Sequence, residues 1–503
     1  MRSVGAHKMR LLAALGCGAL VAGCTVAQGG TRGEPDLGKY YSQRVEWGSC
    51  IGFGITSELD PRMQCGRVRV PIDYDKPEGN TAQIAVSRMA VLGERAESLV
   101  VIPGVPGQPG LEWSATFGRS GLGAKFNVVS YDRRGLGAST PLVRCSSKER
   151  LEADRLHLLT DMSPSGIERS EQDNRDYVAD CVAKSGTELL GHLGTREAVR
   201  DLDIIRAALG ADKLNAFGLA YGSRVGSSYA ERFPQHVRAM VLDASLDPAA
   251  RILDPVETNA SLQSAFQTYA DGCVRESDCP LGADSAAATD RFRQLINPLL
   301  DHPAATRDSR GLNYLDGLSA VLNSLYDRGL LPKVTAGLRE LAGGNGDTLL
   351  ELADMFRNGD IIDRSVQQAT LCLDEPRTMD RAKAAEEFKA GFEAAPITDT
   401  GRFQGRAPLD ICAFWPAQPT SQPHKVSGID GLPKVVVIAT TGDPKAPYQG
   451  GVNLARALHA SLITNDGHTH RAFLTGVDCV DKQVIAYFEQ LTAPGDITCR
   501  KSG

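Results

Sequence analysis

The chain has 503 residues, with 55 Lys and Arg against 61 Asp and Glu for a formal net charge of −6; its hydrophobic share of 42% and charged share of 23% are those of an ordinary globular protein and exclude a disordered or collagen-like chain. No acidic or basic excess points to nucleic acid. Length alone allows several domains, or one large domain with an insertion. Twelve cysteines are too few for a small disulfide scaffold and more than a reducing compartment leads one to expect.

The N-terminus carries Arg2, Lys8 and Arg10 without an acid, then an apolar run from Leu11 to Ala22 that is too short to span a bilayer. Basic, then apolar, then small is the signal-peptide pattern. Val21-Ala22-Gly23-Cys24 resembles a bacterial lipobox, so residues 1–23 are expected to be removed and Cys24 lipidated, tying the protein to the outer face of a membrane. Removal of the three basic residues would shift the net charge from −6 to −9 and discard Cys17. Ten cysteines then remain, as neighbours or plausible partners: Cys50 and Cys65, Cys145 and Cys181, Cys273 and Cys279, Cys372 and Cys412, Cys479 and Cys499. An even set in an exported chain reads as five disulfides whose connectivity the sequence leaves open; with no CxxC pair, zinc is the weaker reading. Residues 24–46, polar and Gly-rich, suit a tether.

Short β-rich runs follow at Arg67–Val70, Gln83–Met89, Leu99–Ile102 and Asn127–Tyr131, punctuated by Gly and Pro. Thr195–Leu209 reads as an amphipathic helix with Thr195 as its N-cap and Val199, Leu202, Ile205 and Leu209 on one face. A strand at Leu214–Phe217, a Gly-rich turn, a helix to about Phe233 and a strand at Val237–Leu242 come next. This alternation predicts a mostly parallel sheet with helices on both faces. Residues 248–430 show helical spacing instead, as in Leu315, Leu318 and Leu322, in Leu349–Phe356 and in Arg381–Phe392. Strand patterns resume at Lys434–Ala439 and Ala460–Thr464, and a last helix covers about Asp481–Leu491. The expected organisation is one α/β domain over residues 47–247 and 431–503, interrupted by a helical lid over 248–430.

Gly218-Leu219-Ala220-Tyr221-Gly222 lies between a strand and a helix, the setting of the G-x-S-x-G nucleophile elbow of α/β hydrolases. Both glycines are present, but position 220 is Ala, and a methyl group cannot attack a carbonyl. Pro103-Gly104-Val105-Pro106-Gly107 follows a β-rich run, where such enzymes place an oxyanion loop; Val105 and Tyr221 are the expected N–H donors. Asp443 follows KVVVIA, and His468 and His470 follow the next strand. The order 220, 443, 470 is the hydrolase order of nucleophile, acid and histidine. Ser223 is a further hydroxyl, but one turn into the helix it points away from the elbow apex. This chemistry calls for no cofactor and no metal.

At these residues the chain resembles the tripeptidyl-aminopeptidase-like branch of the α/β hydrolases, exported serine hydrolases acting on peptides or esters. The resemblance runs from about Trp47 to Cys499. It rests on Cys65-Gly66-Arg67-Val68-Arg69-Val70-Pro71-Ile72-Asp73-Tyr74, on Tyr131 to Ser139, on Cys412-Ala413-Phe414-Trp415-Pro416, on Gly442-Asp443-Pro444 with Pro447-Tyr448, and on Cys479-Val480-Asp481. It implies an α/β-hydrolase fold, with Asp443 as the acid and His470, about nine residues before Cys479, as the base in preference to His468. The departures are Ala220 for the family serine, Val105 in a loop that is usually G-G-P-G, and Ala446 for the acid-loop threonine. Val105 restricts φ and crowds the oxyanion position. Two readings follow: a membrane-anchored pseudohydrolase that binds a peptide or acyl-ester ligand under the lid, or an inactivated form of an active serine hydrolase. An aminopeptidase would further need lid carboxylates for the substrate amine, for which Asp374 and Glu375 are candidates.

Overall fold

The structure, a computed structural model, describes residues 35–56, 58–91, 96–145, 161–252, 254–358, 364–426 and 429–500. The expected signal peptide, Cys17 and Cys24 lie outside the described residues. Strand β1 (Met63–Pro71) pairs antiparallel with β2 (Thr81–Met89), and the period of two is plain in β1: Val68 and Val70 are buried while Arg67 and Arg69 face away. Five further strands, β3 (Ser98–Ile102), β4 (Asn127–Tyr131), β5 (Leu214–Leu219), β6 (Val237–Asp243) and β7 (Val436–Thr440), are buried almost from end to end. Near-continuous apolar runs are what a parallel sheet covered on both faces requires. With β8 (Ser461–Asp466) and β9 (Ile497–Arg500) they form a nine-stranded sheet in the order β1-β2-β4-β3-β5-β6-β7-β8-β9, parallel from β4 onward.

Alternate residues of each central strand feed opposite cores. Val100, Ile102, Ala216 and Leu242 join one apolar cluster, and Leu99, Val101, Phe217 and Val241 join the other. The first core is covered by helices α1 (Thr195–Ala208) and α2 (Tyr221–Arg232), which supply Leu202, Ile205, Val225 and Tyr229; the second is covered by α3 (Asp478–Gln490), which supplies Val480, Val484 and Phe488. Between Asp243 and Val436 the described residues contribute no strand to the sheet. Their helices build a third core around Phe266, Phe292, Val321, Leu338 and Leu349, a helical insertion over the span where the lid is expected. Its helices include Tyr314–Ser324, Asp347–Asn358, Arg364–Asp374 and Arg381–Ala394. All five cysteine pairs are disulfides: Cys50–Cys65, Cys145–Cys181, Cys273–Cys279, Cys372–Cys412 and Cys479–Cys499.

Three expectations need correction. The segment taken as tether is packed from Asp36 onward: Tyr40 is fully buried, Tyr41 Oη donates to Asp203 Oδ2 at 2.8 Å, and Val45 N–H donates to the Ala208 carbonyl at 3.2 Å. The N-cap of α1 is Gly194, because the Thr195 hydroxyl is drawn to a lid carboxylate. The helix Tyr314–Ser324 buries Tyr314, Gly317, Val321 and Ser324, leaving Leu315 38% exposed, so its inner stripe is rotated from the leucine pattern. The helix Pro164–Ser185 and strand β9 carry too few apolar residues to stand out in the sequence.

Candidate active site

Ala220 ends β5 and caps α2 with φ 46° and ψ −114°. A non-glycine residue is held in so strained a conformation only where its surroundings fix it. Here the Ala220 N–H donates to the Asp243 carbonyl at 2.8 Å, and its own carbonyl accepts from Ser223 N–H at 2.8 Å and Ser223 Oγ at 2.6 Å. The flanking glycines are sterically required. A Cβ on Gly218 would collide with the Gly222 carbonyl, and one on Gly222 with the carbonyls of Ile102 and Pro103. The elbow is thus fully built, with a methyl group at its apex. Ser223 is buried, and its hydroxyl is engaged by Ala220 and by Leu246 N–H at 3.0 Å.

Asp443 and His470 follow β7 and β8, so with Ala220 they gather beyond the C-terminal ends of parallel strands. His470 Nδ1 lies 2.9 Å from Asp443 Oδ1 and 3.2 Å from Oδ2. The Asp443 carboxylate is buried and also accepts N–H bonds from Lys445 at 2.8 Å and Ala446 at 2.9 Å, which fixes its orientation. A carboxylate on Nδ1 holds a histidine in the tautomer whose Nε2 is free to take a proton. His468 is exposed and packs against Gly442. The lid meets this pair through Tyr326, whose ring centroid is 6.3 Å from that of His470, with Lys445 Nζ 4.0 Å over the tyrosine ring.

The loop carrying His470 is anchored by a residue that the sequence reading passed over. Asp243, at the end of β6, is fully buried, and its carboxylate accepts from Ala244 N–H at 2.8 Å, Ala472 N–H at 3.1 Å and Phe473 N–H at 3.0 Å. Burial pushes its carboxyl up to about 6 against the lowering effect of those donors. Asp132, in the expected family segment, does the same for the next loop: it accepts from Gly110, Leu111 and Ala138 N–H groups, and burial again raises it to about 6. Neighbouring Arg134 binds both oxygens of Asp201, at 2.8 and 2.6 Å. The signal for Asp243 was its place at a strand end between two motifs.

The oxyanion expectation also needs correction. Tyr221 N–H donates to the Gly104 carbonyl at 2.9 Å, so the turn places an acceptor where an anion would need a donor. The lid carboxylates differ from each other. Asp374 is buried and accepts from Thr195 N–H at 2.8 Å, Thr195 Oγ1 at 2.6 Å and Tyr221 Oη at 3.0 Å, so it joins lid to elbow and is not open to a substrate amine. Burial raises its carboxyl above the usual range. Glu375 accepts from Ile252 N–H at 2.6 Å and pairs with Arg251 at 3.3 Å. It lines a lid cavity of about 600 Å³, walled by Leu371, Phe388, Phe392 and Leu409, that does not include Ala220, Asp443 or His470 among its lining residues.

An elbow at the end of a central parallel strand, an aspartate and histidine on the next two strand ends and a helical lid define an α/β hydrolase scaffold. The alpha/beta hydrolase fold family matches residues 97–476, and the chain belongs to that family. It is 40% identical over 511 residues to the serine protease Hip1 of Mycobacterium tuberculosis, covering 97% of each chain. It is 39% identical over 502 residues to carboxylesterase B of the same species, covering 96% of each. A tripeptidyl aminopeptidase of Streptomyces lividans is 27% identical over 482 residues, covering 90% of this chain and 86% of that one.

Proposed function

We propose that this chain is an exported, membrane-anchored member of the alpha/beta hydrolase family, of peptidase or carboxylesterase type, that is catalytically impaired and binds a peptide or acyl-ester ligand under its lid. One observation carries the reading: the apex of a fully formed elbow is Ala220. Without an oxygen there, His470 has no hydroxyl to deprotonate and no acyl-enzyme can form. The lid cavity supports retained binding. Its volume suits a small-molecule or short-peptide ligand, its walls mix apolar and aromatic side chains with polar ones, and Arg251 bridges Glu375 and Glu387 at 3.3 and 3.2 Å within it. The names of the relatives, a protease, an esterase and an aminopeptidase, support peptide or ester bonds as the ligand chemistry. Anchoring rests on Cys24 at the end of the N-terminal apolar run.

The intact Asp443–His470 pair favours a second reading, an active serine hydrolase represented by a form inactivated at position 220. In that form a serine at the elbow would attack the carbonyl, His470 would take its proton and Asp443 would orient the imidazole. The purified chain is tested with a fluorophosphonate probe and a 4-nitrophenyl ester. No labelling and no turnover are expected, and labelling would sink the impaired reading. Sequencing the chromosomal codon for position 220 separates the two readings, since a serine codon would establish the second. Export and anchoring are read from Cys24→Ser, which is expected to lose incorporated palmitate and to leave the membrane fraction.

A further inference from the structure

We propose that the Gly104–Val105 peptide is a backbone latch that holds the oxyanion site shut, and that Val105 is the residue that keeps it closed. This rests on the reading of the centre as an impaired hydrolase and adds a second, independent lesion to Ala220. Both expected donors depend on one peptide plane. Its carbonyl belongs to Gly104 and accepts the Tyr221 N–H at 2.9 Å. Its N–H belongs to Val105. In a trans peptide the carbonyl and the N–H point in opposite directions. With the oxygen aimed at Tyr221, the Val105 N–H is turned away from the elbow. One orientation therefore occupies the first donor and withdraws the second.

Opening would require that plane to turn over by about 180°, with compensating rotations at ψ of residue 104 and φ of residue 105. The chain on either side is held, on the N-terminal side by the pairing of Ile102 in β3 with Gly218 in β5. The Val105 carbonyl accepts from Gln108 N–H at 3.0 Å, and the Pro106 carbonyl from Arg133 at 3.3 Å. Arg133 in turn lies 4.8 Å over the Tyr221 ring, whose hydroxyl is bonded to Asp374. The swing therefore falls on residues 104 and 105 alone. Gly104 can take any ψ. Val105 cannot follow. The described non-glycine residues at positive φ are Ala220, Ala244, His459, Leu474 and Leu491, so Val105 sits at negative φ, and the flip would carry it into the left-handed half of the map. A β-branched residue is excluded there. Pro106 narrows it further, because a residue before proline is confined to extended backbone. A glycine at 105 would make both orientations accessible.

The test compares Ala220→Ser with the double variant Ala220→Ser/Val105→Gly in the full chain. The readout is the rate of fluorophosphonate labelling, in which the introduced hydroxyl bonds to phosphorus, fluoride leaves and His470 takes the proton. The double variant is expected to label at least about a hundredfold faster, the loss typical of one missing oxyanion donor. Ala220→Ser/Val105→Ala, which keeps a Cβ but no branch, should fall between them and serves if the glycine variant unfolds. Equal rates, or a folded double variant that does not label, overturn the latch. A measurement free of the nucleophile is amide exchange at Tyr221. Its N–H should be protected in the unchanged chain and exchange at least tenfold faster in Val105→Gly; unchanged protection overturns the proposal. Labelling of the unchanged chain would instead sink the impaired-centre reading, so the two failures are distinguishable.

Discussion

Ala220 holds φ 46° and ψ −114° although nothing in its side chain benefits from that conformation. The strain costs about 1–3 kcal/mol and is imposed by the elbow turn. Glycine takes this conformation freely at an unfolded-state cost of about 0.4–1 kcal/mol. Ala220→Gly is therefore expected to stabilise the protein by about 1 kcal/mol in denaturant unfolding, and a loss of stability would show that the turn is unstrained. Asp243 gives a pH-dependent prediction. Its carboxyl titrates near 6 in the folded chain, above its ordinary value of about 3.9. Its contribution is thus full below about pH 4 and is lost as the pH rises to 6. Asp243→Asn mimics the neutral acid and lacks this loss. Its stability relative to the unchanged chain should rise between pH 4 and 6, by up to about 3 kcal/mol, and a flat difference in thermal melts across that range would refute the assignment. The sequence made Ala220, Asp443 and His470 legible because residue type and strand order carry them. Val105 was legible as a departure, but the closed oxyanion site was not, since the bond that closes it runs between main-chain atoms, from Tyr221 N–H to the Gly104 carbonyl.

Between lid and core the decisive contact is a single carboxylate. Asp374 ends the lid helix Arg364–Asp374 and reaches the first residue of α1 and the Tyr221 hydroxyl on α2. It caps α1 from another part of the chain, placing negative charge at a helix N-terminus. It also lies near the cations Arg133 and Arg224. Asp374→Ala would leave a buried N–H unpaired and those cations less compensated, a loss of about 3 kcal/mol. Amides of the helix Arg364–Asp374 should then exchange faster while those of β5 and β6 keep their protection. Equal loosening of both would mean that Asp374 serves general stability and not the lid. Tyr221→Phe, which removes one of the three bonds, should cost about 1 kcal/mol. Elements differed in legibility for the same kind of reason. Buried strands such as Val436–Thr440 declare themselves by unbroken apolar runs, and the lid helices by their spacing. The four-residue β9 gains its place from β8 and from the Cys479–Cys499 bond, neither of which is local.

Residues Asp36–Gly503 form one compact unit, which explains why the supposed tether was misread. Its composition is polar, but two tyrosines decide its fate. Tyr40 is buried in the same core as Val68, Leu202 and Tyr229, and its hydroxyl donates to the Pro77 carbonyl at 2.6 Å. Tyr41 is one of four residues converging on Asp203, with Tyr229 Oη at 2.8 Å, Arg206 Nε at 2.7 Å and His236 Nδ1 at 2.8 Å from the same carboxylate. The Gln43 side-chain amide donates from Nε2 to the Arg69 carbonyl at 2.8 Å and accepts the Arg69 N–H on Oε1 at 2.9 Å, and so extends the edge of β1. Composition averages over such contacts, and only the fold reveals their acceptors. A chain beginning at Trp47 should therefore be less stable than one beginning at Asp36. Exposing the Tyr40 site forfeits about 2 kcal/mol of apolar burial, and removing a donor from the buried Asp203 adds about 1–3 kcal/mol. Tyr41→Phe isolates the second effect, and its loss should shrink only as the pH falls below the ordinary aspartate range and Asp203, whose burial is outweighed by the hydrogen bonds from Arg206, Tyr229 and Tyr41 that hold it low, becomes protonated. Equal denaturation midpoints for the two chain lengths would restore the tether reading for residues 36–46. A lowered midpoint for the shorter chain, with Tyr41→Phe between the two, would establish that the folded domain includes residues 36–46.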